Sequence, residues 1–283
     1  MGEQLVLSRP GEPDLFLEVD GEGPPIVLLH GLTATRRYVA MGSTLLQRNG
    51  FQVISYDARG HGRSGGAPPE RCGYRFLVND LAAVIDHLKL ARPLLVGVSM
   101  GAHTALAYAV ENPERIAGLV VITPGFDPEQ DEAAFAAACR RWRALADALR
   151  SAGIDGFLQA YRLERIGEPW RETVRRAVAQ RIGAHRDLLA LADAVEGVGC
   201  SRPPFDGEAL TGVGVQAIVI GSRDQADPDH PLELAGRYAS WLGCNLLVEP
   251  PPPPPRSPIA WQGGRVSALV LELARRVYSP TAG

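Results

Sequence analysis

The chain has 283 residues, of which 46% are hydrophobic and 22% charged, and its formal net charge is −3. Those figures exclude a disordered chain, a coiled coil and a collagen-like repeat, and they provide no cationic excess for nucleic acid or anionic membranes. The length suits one large domain or two modest ones, with a core that needs no metal or disulfide support.

Apolar runs of strand length alternate with amphipathic stretches along most of the chain. Leu5 to Leu7 and Leu15 to Val19 read as two opening strands around the turn Pro10-Gly11-Glu12-Pro13. Met1 to Asp20 alternates apolar and polar residues, which is unlike a signal peptide. Ile26 to Leu29 is a continuous β-rich run, as expected of a strand buried on both faces. Arg36 to Arg48 reads as a helix and Gln52 to Tyr56 as the next strand. Then come a helix at Phe76 to Leu90, a strand at Pro93 to Val98, a helix at Met100 to Val110 and a strand at Ile116 to Ile122. Val215 to Ile220, Pro231 to Trp241, Asn245 to Val248 and Gly264 to Tyr278 continue the alternation as strand, helix, strand, helix. Such a pattern predicts an α/β fold, a mostly parallel, doubly wound sheet covered on both faces.

Residues 127–210 break the pattern. They contain no strand-like run, only helical sequence interrupted at Gly153, Gly167-Glu168-Pro169, Gly183 and Gly197 to Gly199. They read as an inserted helical lid, leaving 1–126 and 211–283 as the core. Within the lid, Trp142, Phe157 and Tyr161 are candidates for a pocket wall. Pro250 to Pro255 are six consecutive prolines, which can form neither helix nor inner strand. They read as a stiff loop before the final helix. Cys72, Cys139, Cys200 and Cys244 are widely spaced, without CxxC or histidine at metal-ligand spacing. The expectation is four free thiols in a reduced, cytoplasmic protein, with no metal, no cofactor and no membrane span.

The chemistry concentrates at Gly97-Val98-Ser99-Met100-Gly101, a G-x-S-x-G that follows a buried strand and opens a helix. A turn that tight needs small residues two before and two after the serine. It projects the Ser99 hydroxyl above the sheet, making Ser99 the candidate nucleophile. His30-Gly31-Leu32-Thr33 ends the strand Ile26 to Leu29, where ligands of open α/β sheets gather. The backbone amides of Leu32 and Met100 are candidate oxyanion donors. His30 and the segment Asp57 to Ser64 read as structural turns.

His30-Gly31, Asp57 to Ser64 and the serine motif, in that order and spacing, resemble the α/β-hydrolase superfamily. The closest likeness within it is to lid-bearing serine esterases, enol-lactonases and cofactor-free haloperoxidases. The resemblance implies a triad in chain order Ser, Asp, His. Asp224 stands three residues past Gly221 and matches the family's acid position, with Asp227 as its rival. The family's histidine belongs in the loop after the last strand, where Arg256 occupies its place, and no histidine follows His230. Arginine cannot accept a proton near neutrality. A defective or non-standard triad is therefore expected. His230, the only histidine after the acid, and His185 in the lid are the substitutes to consider, with His103 directed into helix packing and His61 and His87 structural. The implied function is a serine hydrolase of a small carboxylic ester or lactone. The alternative is a repurposed member that binds a small molecule with little hydrolysis.

Overall fold

The strands meet where their apolar pattern requires. The computed structural model describes residues 2–223, 225–248 and 261–279, and all structural statements concern these. The strands β1 (Glu3–Arg9), β2 (Glu12–Asp20), β3 (Pro25–Leu29), β4 (Gln52–Tyr56), β5 (Leu94–Val98), β6 (Gly118–Ile122), β7 (Gln216–Gly221) and β8 (Asn245–Val248) form one sheet. Its order is β1-β2-β4-β3-β5-β6-β7-β8. The pairings β1/β2 and β2/β4 are antiparallel, and those from β4 through β3 to β8 are parallel. The mostly parallel, doubly wound sheet expected from the alternation is the one observed.

Helices cover both faces. They are α1 (Leu45–Arg48), α2 (Tyr74–His87), α3 (Met100–Glu111), α4 (Glu132–Ala160), α5 (Arg171–Gly183), α6 (Leu188–Gly199), α7 (Gly207–Thr211), α8 (Leu232–Trp241) and α9 (Gly263–Val277). Successive strand residues point to opposite faces, so one strand feeds two cores. From β5, Leu95 packs with Leu81 of α2, Leu106 of α3 and Tyr238 of α8. Its neighbours Leu94 and Val96 pack on the other side with Leu46 of α1 and Val270 of α9.

One expected helix is corrected. Arg36 to Arg48 is not continuous: a 3₁₀ turn at Arg36–Tyr38 is separated from α1. Between them Met41 and Gly42 take positive φ, 47° and 81°, which ends helical hydrogen bonding.

Between β6 and β7 lies a helical cap formed by α4, α5 and α6. Helix α4 starts at Asp131, whose side chain accepts from the Ala134 amide at 2.7 Å, and α6 starts likewise at Asp187. Helix α4 bends at Ala152 and Gly153, the latter with φ 58°. The other expected breaks fall at the turn Glu168–Trp170 before α5, at Gly183 where α5 ends, and at Gly197 to Gly199 where α6 ends. The cap has its own apolar core, including Leu149, Phe157, Val178, Ile182, Leu191 and Val195. Leu210 of α7 joins the sheet's cluster, so the cap helices end with α6.

The cysteine reading is also corrected. Cys139 of α4 and Cys200, just past α6, form a disulfide, while Cys72 and Cys244 are free. The pair is 61 residues apart, and only the packing of α4 on α6 brings it together. The thiol argument for a cytoplasmic location falls with it. No helix among the described residues is long and apolar enough to cross a membrane.

Candidate active site

Ser99 sits between β5 and α3 with φ 49° and ψ −111°, a strained conformation for a residue with a side chain. The flanking glycines show why the turn can exist. A Cβ on Gly97 would stand 2.3 Å from the Gly101 carbonyl oxygen, and one on Gly101 would stand 2.3 Å from that of Leu29. The Ser99 amide donates to the Ile122 carbonyl of β6 at 3.0 Å, tying the elbow to the sheet.

His230, the substitute considered for the missing histidine, lies beside Ser99. Ser99 Oγ lies 2.9 Å from His230 Nε2, with the hydroxyl donating, and His230 Nδ1–H donates to Asp227 Oδ1 at 2.7 Å. The imidazole therefore comes from the loop between β7 and α8, and the acid three residues before it belongs to the same loop. Asp227, the rival in the sequence, makes this contact. Asp224 and Arg256 lie outside the described residues. Burial draws the His230 pKa down, but the charge and hydrogen bond of Asp227, with the charge of Asp229, outweigh it and hold the ring above its ordinary value. Burial pushes the Asp227 carboxyl up, and His230, with Arg181 in addition, brings it below the usual carboxylate range.

Gly125 makes room for this ring. A Cβ there would stand 2.8 Å from His230 Cδ2, a requirement that no pattern in the sequence announces. The Leu32 and Met100 residues of the expected oxyanion pair border the same cavity as Ser99, His230 and Asp227. As the first residue of α3, Met100 has an amide with no intrahelical acceptor. Trp142, Phe157 and Tyr161 of the cap also border this space of about 290 Å³, with the last two rings stacked at 5.9 Å.

The other histidines are engaged elsewhere. His103 Nε2 accepts from the Phe126 amide at 3.2 Å and Nδ1 meets the Tyr74 hydroxyl at 3.0 Å. Burial, with the charge of His230 in addition, drives its pKa down to about 3. His30 Nε2 accepts from the Ala58 amide at 3.0 Å, and His61 Nδ1 lies 2.9 Å from the Arg59 carbonyl. His185 does not hang over the cavity: its ring reaches the Ile182 and Ala34 carbonyls at 3.0 and 3.2 Å. Burial lowers it to about 4. His87 is exposed at the end of α2.

Comparison with known proteins agrees with this architecture. Residues 24–150 match the family model described as alpha/beta hydrolase fold. Over 129 residues the chain is 36% identical to an sn-1-specific diacylglycerol lipase, ABHD11, of Mus musculus, a match covering 44% of this chain and 41% of the lipase. The chain thus spans about two fifths of that relative's length. A thermophilic esterase from Thermogutta terrifontis, solved with malate bound, superposes with TM-score 0.76 at 26% identity, covering 98% of this chain and 100% of the esterase. The enol-lactonase from Burkholderia xenovorans LB400 shares the fold with TM-score 0.70 at 21% identity, over 98% and 100% of the two chains. Sheet order, the geometry of the turn at Ser99 and these similarities together give the chain the α/β-hydrolase fold.

Proposed function

We propose that the chain is a serine hydrolase of small carboxylic esters or lactones, with Ser99, His230 and Asp227 as its working triad. The observation that carries this reading is the unbroken relay from Ser99 Oγ to His230 at 2.9 Å and on to Asp227 at 2.7 Å. The esterase and enol-lactonase likenesses supply the substrate class.

Ser99 attacks the carbonyl carbon while His230 Nε2 takes its proton, and the Asp227 carboxylate stabilises the imidazolium. The Leu32 and Met100 amides receive the charge that develops on the carbonyl oxygen. His230 then returns the proton to the departing alkoxide, leaving an acyl-serine. Water, activated by the same ring, attacks the acyl carbon and releases the acid. With a lactone, the alcohol stays tethered to the acyl group through the first half. The cap aromatics exclude bulk water from a space suited to a small acyl chain.

The test is covalent labelling with a fluorophosphonate, followed by mass spectrometry, alongside hydrolysis of 4-nitrophenyl acetate. One label per chain and turnover are expected, both lost in Ser99→Ala. A native protein that neither labels nor hydrolyses would refute the reading.

A further inference from the structure

Beside the catalytic cavity lies a second chamber of about 890 Å³. The two share Tyr38, Met41, Arg181 and Trp261 along their common border. Among the described residues, the chamber is lined by four arginines, Arg36, Arg37, Arg63 and Arg181, and by no aspartate or glutamate. The reacting space has Asp227 and Asp229 on its wall beside Arg141 and Arg181.

Two of the four cations are already employed. Arg36 pairs with Glu18 and Asp57 at 3.1 and 3.0 Å. Arg63 lies 3.9 Å over the Phe16 ring and donates to Gln4 at 3.2 Å. Arg37 and Arg181 make no ion pair with any described residue. The Arg181 Nε is buried without a hydrogen-bond partner among the described residues. A guanidinium without a paired carboxylate favours an anion that can reach it. Both arginines line the chamber with Tyr38: burial pushes its phenol up, and the charges of Arg181 and Arg37 pull it back. Arg181 lines both spaces, which places it at the junction of chamber and reacting centre; it hydrogen-bonds Tyr161, and its charge acts on Asp227 and His230.

We infer that the chamber holds the anionic end of the substrate, a carboxylate or a phosphate, on Arg181 and Arg37 while the scissile ester lies at Ser99. This rests on the hydrolase reading and narrows it to acidic esters or lactones. A guanidinium fork presents two parallel donors to either anion. Arg181 is a specificity residue in this scheme; the bond-breaking proton transfers remain with His230.

The experiment compares 4-nitrophenyl butyrate with the mono-4-nitrophenyl ester of glutarate, whose acyl chain ends in a carboxylate. The native protein is expected to favour the acidic ester by about tenfold or more in kcat/KM, as one charge-assisted hydrogen bond supplies. Arg181→Gln and Arg37→Gln should each collapse that ratio, and Arg181→Lys should restore part of it. Using the ratio cancels any shared effect of Arg181 on His230 or on folding. Competitive inhibition of butyrate hydrolysis by glutarate, or by inorganic phosphate, distinguishes the two anion sources. Equal kcat/KM for both esters, or a preference unmoved by both glutamine variants, would overturn the inference while leaving the hydrolase standing. If neither ester is cleaved, the hydrolase reading fails. Calorimetric titration of glutarate and phosphate then decides the chamber separately. Binding that is lost in Arg181→Gln upholds it, and absence of binding, or binding that this variant retains, overturns it.

Discussion

The serine and the histidine of the site are held by different physics. Ser99 is locked by backbone sterics, because Gly97 and Gly101 approach neighbouring carbonyl groups too closely to tolerate a Cβ. His230 is held by charge, on a loop whose aspartates reach out to partners: Asp227 to the ring itself and Asp229 to Arg165 of the cap at 2.9 Å. Steric placement is insensitive to pH and salt, whereas placement by charge responds to both. One half of the site is thus part of the fold, and the other half is adjustable.

Removing either end of the relay should have the largest effect. Ser99→Ala and His230→Ala are each expected to lower kcat for an activated aryl ester by about 10⁵–10⁶, and the double variant should fall no further, since triad members act as a unit. Circular dichroism should remain native. Additive losses would separate the two residues mechanistically.

Asp227→Asn addresses the charge-held half alone. A drop of about 10⁴ in kcat is expected, as when a triad aspartate is neutralised. The pH profile carries the sharper signature. Hydrolysis requires the neutral imidazole, so activity disappears as pH falls through the His230 pKa. In the native protein Asp227 and Asp229 hold that pKa above its usual ~6.5, so the acid limb should lie above that value. Removing the Asp227 charge takes away the largest raising cause, and the limb of the residual activity should move to lower pH. A stationary limb would show that the ring does not owe its pKa to Asp227.

Gly101→Val probes the steric half. Its Cβ would meet the Leu29 carbonyl at 2.3 Å, so the strand or the helix must shift. A loss of about 4 kcal/mol or more in unfolding free energy is expected by urea titration. A variant of native stability would show that the elbow is looser than its contacts indicate.

The smallest effect belongs to the cap. Cys139→Ser should lower stability by about 2–3 kcal/mol, as loss of a disulfide closing a long loop does. Aryl ester hydrolysis should change less than in any preceding variant. Thiol titration of the denatured, unreduced native chain should count two free thiols; four would refute the bridge.

Much of this was readable in advance, for reasons that differ along the chain. The sheet was legible because strands buried on both faces are continuous apolar runs, such as Ile26 to Leu29. The elbow was legible because its sterics demand glycine at fixed offsets from Ser99. The partners of Ser99 were legible only as second choices, His230 as substitute base and Asp227 as rival acid, because a pairing three residues apart on a turn leaves no periodic trace. The resemblance directed attention to the segment after β8, where Arg256 stands. The Cys139–Cys200 bridge was hidden because its 61-residue separation closes only through packing of α4 on α6. The break at Met41 and Gly42 was passed over because the flanking residues keep a helical composition.

Acid and base three residues apart on one turn have a consequence for how such a protein can change. In the arrangement the resemblance implies, the proton relay is assembled from two distant loops, and an insertion in either can pull it out of register. Here Asp227 and His230 share one loop, so a shift of that loop moves both together. The stretch from Pro250 to Pro255 follows that loop in the chain and carries no histidine. In the proposed triad, the proton acceptor of the serine does not come from that stretch.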